Sequence, residues 1–202
     1  MIMSVISNNP RSHSKVTEPW ILLDDCFTEE ELQKIEQYCS SKSLNKASTV
    51  GSDSNARVSN NCFNDVDQEN AWFISRVNQV IEHINKKFYD FDLYGYSFFQ
   101  YAEYEGSESG KYDAHTDLIF GEDKPSYMID TRKLSLSLLL NEPEKDFIGG
   151  EFFIHLSGNP SLHALKKGQI IVFPSFMLHG VKPVLSGVRK SIVIWVEGPK
   201  FR

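Results

Sequence analysis

Two positions in the stretch from Leu178 to Val196 could do chemistry together. His179 stands at the start of one short β-type run, and Arg189, ten residues on, at the start of a second. A neutral imidazole binds a metal through a ring nitrogen, and a guanidinium fork holds a carboxylate through two parallel hydrogen bonds. A Ser-Gly pair, Ser186-Gly187, lies between the runs and reads as a tight hairpin-like turn, which would put both residues on neighbouring strands. One cavity could then hold a metal and an acid. Upstream, His115 and Asp117 flank Thr116. Residues i and i+2 of an extended segment face the same way, so this imidazole and this carboxylate can converge on one ion.

Two histidines and one carboxylate leave three positions of an octahedron open, a donor set that suits non-haem Fe(II) oxygenases. His-x-Asp alone is a short, common pattern. Its weight here comes from the second histidine and the arginine. Ligand types do not by themselves exclude zinc. Three other histidines are set aside: His83 as a surface residue of a helix, His155 and His163 as structural or exposed.

The surrounding text resembles the 2-oxoglutarate- and Fe(II)-dependent oxygenases, specifically the prolyl 4-hydroxylase group. The likeness runs from about Thr49 to Glu197. Lys111-Tyr112-Asp113-Ala114-His115-Thr116-Asp117 is similar to that group's Lys-Tyr-x-x-His-x-Asp. Leu138-Leu139-Leu140-Asn141 followed by Gly149-Gly150-Glu151-Phe152, then Lys167-Gly168 with Val172-Phe173, match further motifs. The resemblance implies that His115, Asp117 and His179 bind Fe(II). It implies that Arg189, helped by Tyr104, binds the distal carboxylate of 2-oxoglutarate. Tyr112, Arg57, Ser59, Arg132 and Trp195 match positions that face or seat a peptide. Arg57-Val58-Ser59 resembles the family's "VRTS" strand, although the Asn60-Asn61 that follows departs from its usual Ser-Gly. O₂ and ascorbate are the remaining cofactors implied, and no catalytic residue beyond the metal ligands is needed.

These residues need a scaffold. Trp20-Ile21-Leu22-Leu23 reads as a first strand, and Thr28-Glu29-Glu30-Glu31 as a capping box opening a helix to about Ser40, with Leu32, Ile35 and Cys39 inward. Residues 40–64 are rich in Ser, Asn, Asp and Gly and read as a solvated loop. Ile74, Val77, Ile81, Ile84 and Phe88 recur at helical spacing, predicting a second helix from about Asp67 to Tyr89. After Asp92 the chain reads as strands: 93–104, 111–117, 133–140, 150–156, 162–165, 169–173, 178–181 and 188–196. Leu134, Leu136 and Leu138 alternate with Ser135 and Ser137, a strand with one apolar face. Many short strands after two helices predict a mainly β fold with flanking N-terminal helices, a double-sheet jelly roll. That is the cupin-like double-stranded β-helix the resemblance also implies. One domain is expected over 1–202: a loose tail (1–16), helical support and a substrate loop (17–92), and the jelly-roll catalytic core (93–197).

A chain of 202 residues can bury one sizeable core. Net charge of −6 argues against a nucleic-acid partner, because phosphate binding wants a basic stripe. No apolar run is long enough to span a bilayer, and no secretory signal is evident. Three cysteines, Cys26, Cys39 and Cys62, make no even-numbered framework, so a cytoplasmic setting is expected with the thiols as small buried hydrophobes. The expected function is hydroxylation of a peptidyl proline, of the procollagen-proline 4-dioxygenase type, with a proline-containing peptide or protein as partner. Alternatives are oxidation of another residue or a free amino acid, a non-catalytic jelly-roll binding module, and a cupin using another metal.

Overall fold

The computed structural model describes residues 18–47, 55–118 and 131–201. The tail expected over 1–16 lies outside them. In chain order, β1 (Ile21–Leu23) leads to α1 (Glu29–Ser40), and β2 (Asn45–Lys46), β3 (Arg57–Val58) and β4 (Asn60–Asp65) precede α2 (Ala71–Ile84). There follow β5 (Phe98–Glu105), β6 (Lys111–His115), β7 (Thr131–Leu139), β8 (Phe147–Gly149) and β9 (Phe152–His155). The last are β10 (Ser161–His163), β11 (Ile170–Pro174), β12 (Leu178–Val181) and β13 (Val184–Gly198). One antiparallel sheet runs β1-β11-β7-β13-β5-β4-β2, with β8 paired to β13; a smaller one runs β10-β9-β12-β6-β3. This is the double-stranded β-helix expected from the sequence.

The period of 2 along each strand sorts side chains onto two sides of the larger sheet. Leu134, Leu136 and Leu138 of β7, Ile192 and Ile194 of β13, and Phe99 and Tyr101 of β5 face one way. They share a core with Leu32, Ile35 and Cys39 of α1 and with Phe73, Ile74, Val77, Ile81 and Ile84 of α2. Alternate residues, among them Tyr104, Leu139, Ile171 and Phe173, turn toward Phe152, Ile154 and Val181 of the smaller sheet. The helices therefore buttress one face and leave the inter-sheet space for the site.

The α1 start follows its capping box: Thr28 Oγ1 accepts from the Glu31 amide at 3.3 Å, and Glu31 Oε2 accepts from the Thr28 amide at 2.8 Å. Glu31 also pairs with Arg76 of α2, tying the helices together. The second helix begins at Ala71, later than the predicted Asp67. Asp67 Oδ1 accepts from the amides of Glu69 and Asn70, while Asn70 Oδ1 accepts from the Asp67 amide. That local turn competes with the helix for the same donors. A π-helical turn, Asn85–Tyr89, carries the chain to its predicted end, where Asp90 adopts φ 57°.

Two expectations need correction. Residues 40–64 are not a uniform loop, because β4 pairs with β5 over six residues from Asn60↔Glu103 to Asp65↔Phe98. Nor is Ser186-Gly187 a hairpin turn. β12 lies in the smaller sheet, and the chain crosses to the larger one before Val184. Gly187 is a kink inside β13, where β13 leaves its pairing with β8. It has φ +72°, and a Cβ there would stand 2.1 Å from the Asp146 carbonyl oxygen. His179 and Arg189 are thus on different sheets. Among the described residues, no helix is long and apolar enough to cross a membrane.

Candidate metal and cosubstrate site

β6 and β12 are neighbours, with His115 directly opposite His179 and ring centroids 4.3 Å apart. Each Nδ1 meets the carbonyl two residues before it, His115 that of Asp113 and His179 that of Met177, both at 2.9 Å. A carbonyl only accepts, so the neutral ring carries its proton on Nδ1 and keeps the Nε2 lone pair free. Those Nε2 atoms stand 3.6 and 3.4 Å from the two oxygens of Asp117. One ligand atom from each of the three residues can be chosen so that all lie within 4.8 Å of one another. Back-donation to a carbonyl is the arrangement that orients metal-binding histidines.

Asp117 follows β6 by two residues and is fixed from the other sheet. Its amide donates to the Ser175 carbonyl at 2.9 Å. Its Oδ2 accepts from Ser135 Oγ at 2.6 Å, and that hydroxyl lies 2.9 Å from Ser175 Oγ. Burial works to raise the Asp117 carboxyl. His179, His115 and the Ser135 hydroxyl together outweigh it and hold the group well below the usual carboxylate range. Burial likewise lowers His179, against the pull of Asp117, and so favours the neutral imidazole that a metal requires. A buried carboxylate with two imidazole Nε2 atoms beside it is a site for a divalent cation, and its donor set fits Fe(II).

Arg189 is 1% exposed and lies directly opposite Tyr104 in the β13–β5 register, its guanidinium 5.6 Å from that ring. Nη1 donates to Ser191 Oγ at 3.1 Å, whereas Nε is buried with no partner. No carboxylate pairs with it among the described residues. Burial lowers its affinity for the proton, and Tyr104 opposes that. A Cβ at Gly150 would come within 2.9 Å of its Cδ, so the glycine makes room for the side chain. Tyr104, Ser137 and Ser191 line one cavity with His115, Asp117 and His179. A buried cation lacking its anion beside that cavity suits an anionic ligand.

Of the remaining predicted positions, Tyr112, Arg57 and Trp195 line the same cavity, while Ser59 and Arg132 contact those residues. Tyr112 stacks on His115 at 3.5 Å between centroids, and the Arg57 guanidinium lies 4.6 Å from the Tyr112 ring. Arg57 donates from Nε to Ser59 Oγ and from Nη2 to Gln100 Oε1, each at 2.9 Å. Trp195 lines the cavity, and Arg132 lies behind it at 4.0 Å from its ring. Trp195 Nε1 and Arg132 Nε are both buried donors without partners. Sequence reasoning missed Ser135, Ser175 and Gln100. Ser135 had a usable signal, because it sits out of phase with the leucines of β7 and so must face the site.

Comparison with known proteins gives a consistent picture. Residues 99–197 match the family model described as the 2OG-Fe(II) oxygenase superfamily. A PKHD-type hydroxylase of Colwellia psychrerythraea is 42% identical over 64 residues, which is 32% of this chain and 28% of that protein. The matched part spans less than half the length of such curated relatives. The crystal structure of a Pseudomonas putida prolyl-4-hydroxylase superposes with a TM-score of 0.71 at 20% identity, covering 91% of this chain and 95% of that one. A Trichoplax adhaerens prolyl hydroxylase, solved in complex with a hypoxia inducible factor oxygen degradation domain peptide fragment, gives 0.69 at 20% identity over 90% and 84%. At that identity the structures establish a shared fold.

Proposed function

We propose that this chain, a prolyl 4-hydroxylase-like member of the 2OG-Fe(II) oxygenases, hydroxylates a proline within a peptide or protein, with succinate and CO₂ as co-products. The observation that carries the chemistry is the buried Arg189, without an anion among the described residues, whose partners Tyr104 and Ser191 line the same cavity as the His115–Asp117–His179 cluster. A cupin using a metal alone has no need of that cation.

Iron, with its cosubstrate and O₂, supplies the oxidising power to put oxygen into an unactivated C–H bond. The protein orients and encloses. His115, Asp117 and His179 would hold the metal through one atom each, leaving positions for the cosubstrate. Arg189 would fix the far carboxylate by a charge-assisted contact, with Ser191 holding the guanidinium in place. Phe152 and Phe173 wall the cavity on the His179 side, their ring centroids 5.6 and 4.5 Å from its own, and they exclude water from the reacting centre. Tyr112, Arg57 and Trp195 sit where a substrate would enter. Trp195 Nε1, an orphaned donor of a residue on the cavity wall, is free to donate to a substrate carbonyl.

The test is a panel of proline-containing peptides incubated with Fe(II), ascorbate and 2-oxoglutarate. Mass spectrometry should find one added oxygen that depends on 2-oxoglutarate, and NMR should place it on the proline ring. Oxygen added only to another residue type, or to free amino acids, would replace this reading.

A further inference from the structure

We propose that a groove beside the cavity seats an acidic segment of the substrate peptide, next to the residue that is oxidised. The inference deepens the function proposed above and rests on it for what lies at the metal. The groove shares Arg57 and Gln100 with the cavity, so the two adjoin. From that junction it passes Asn61 and Phe63 of β4 and reaches Lys42 and Lys46.

Its charge is the reverse of the molecule's. Three cations line it and, among the described residues, no carboxylate does, in a chain of net charge −6. A local field opposed to the overall sign steers and selects partners of complementary charge. Lys46 meets Glu108 at 3.3 Å, but its side chain is 81% exposed, and such a pair in water is weak and exchangeable. Lys42 rests 4.7 Å from the Tyr38 ring, a contact that leaves its charge in place.

The junction is built to take a peptide. Gln100 is 1% exposed; its Oε1 accepts from Arg57, while Nε2 has no partner. A buried amide donor left open is costly, and a peptide carbonyl would complete it. Asn61, also buried, offers a second amide on the adjacent strand. Phe63, 59% exposed, packs 6.5 Å from Trp195 and carries an apolar ledge from the cavity into the groove. The order is therefore a backbone acceptor at Gln100, an apolar group on Phe63 and a carboxylate at Lys42 and Lys46. Three cations in a short groove suit one or two carboxylates better than the regular charge of a nucleic-acid backbone, which asks for an extended basic stripe.

The experiment uses fluorescence anisotropy with the protein supplied with Fe(II) and 2-oxoglutarate under anaerobic conditions. Labelled proline peptides carry two Asp, two Asn or two Lys on either side of the proline. On one side, Asp should bind about tenfold more tightly than Asn at low salt, a difference that shrinks as salt rises. K42E/K46E, checked for wild-type melting, should lose that preference and favour the Lys peptide. An equal or inverted preference in the wild type, an unchanged one in K42E/K46E, or equally tight binding of a short oligonucleotide would overturn the groove assignment. The same peptides, given O₂ and scored by mass spectrometry, separate the two claims. Charge-selective binding without oxygen addition to proline removes the proposed reaction and keeps the groove, while oxygen addition blind to charge does the reverse.

Discussion

Arg189 is a guanidinium sealed in the interior with one hydrogen bond to a serine and no anion beside it among the described residues. Leaving such a cation unpaired is costly, so its retention points to a ligand that brings the charge. Hydrogen bonds to charged groups contribute about 1.5–3 kcal/mol. Arg189→Ala should therefore raise the KM for 2-oxoglutarate at least tenfold, the factor that corresponds to about 1.4 kcal/mol. Arg189→Lys should fall between, since a point charge keeps the attraction and loses the fork. Steady-state kinetics decides: an unchanged KM with weakened metal binding would make Arg189 structural. Ser135 carries a second prediction. Its hydroxyl holds Asp117 Oδ2 at 2.6 Å, so Ser135→Ala should weaken metal affinity by about 10–100-fold, as loss of a ligand's outer partner does. Titration with Mn(II) followed by EPR reads that directly; a lower melting temperature with unaltered affinity would assign Ser135 to packing alone. The ligand trio was legible because its residue types carry the chemistry. The phase of β7 showed that Ser135 faces the site, but its pairing with Ser175 and Asp117 was not legible, since a serine announces its partner only once β7 and β11 are side by side.

Between elements, the decisive contact is β12 against β6. Gly180 lies between His179 and Val181, where the pairing shifts register, and a Cβ there would stand 2.4 Å from the Tyr112 carbonyl oxygen. Gly180→Ala must push β6 away from β12. Overpacking of this kind costs about 1–3 kcal/mol, and here the strands that move carry His115 and His179. The expected result is a lower melting temperature together with loss of metal binding. Gly158→Ala, in a turn with nothing within 4 Å, is the control and should keep the metal despite its φ of +61°. Equal metal affinity in Gly180→Ala and wild type would show that the site tolerates strand separation. The helices and most strands of this framework could be read from period and capping. β4 could not: Asn60, Asn61 and Asn64 depress β propensity, and its stability comes from lying between β5 and β2. The Ser-Gly signal at 186–187 was read as a turn because a glycine with positive φ serves a kink as readily as a hairpin.

Over the whole molecule, the cluster joins the two layers of the fold. His115 and His179 belong to the smaller sheet, while Asp117 is held through Ser135 of β7 and Ser175, just past β11, on the larger one. A divalent ion held by all three would fasten the sheets together in the folded state and would find no such arrangement in the unfolded chain. Binding to the native state alone stabilises by about 2.7 kcal/mol at a free concentration near a hundredfold above Kd. For a chain of this size that corresponds to a rise in Tm of roughly 5–10 °C. Anaerobic Fe(II), or Mn(II) in its place, should produce that rise, and a chelator should reverse it. Hydrogen exchange should slow in β6 and β12 and also in β7, because the restraint crosses between layers. Asp117→Ala, with its circular dichroism unchanged, should show neither effect, since the two remaining histidines lie on one sheet and bridge nothing. A full rise in Asp117→Ala would place the stabilising ion elsewhere, and protection confined to β6 and β12 would mean that Asp117 does not couple the layers.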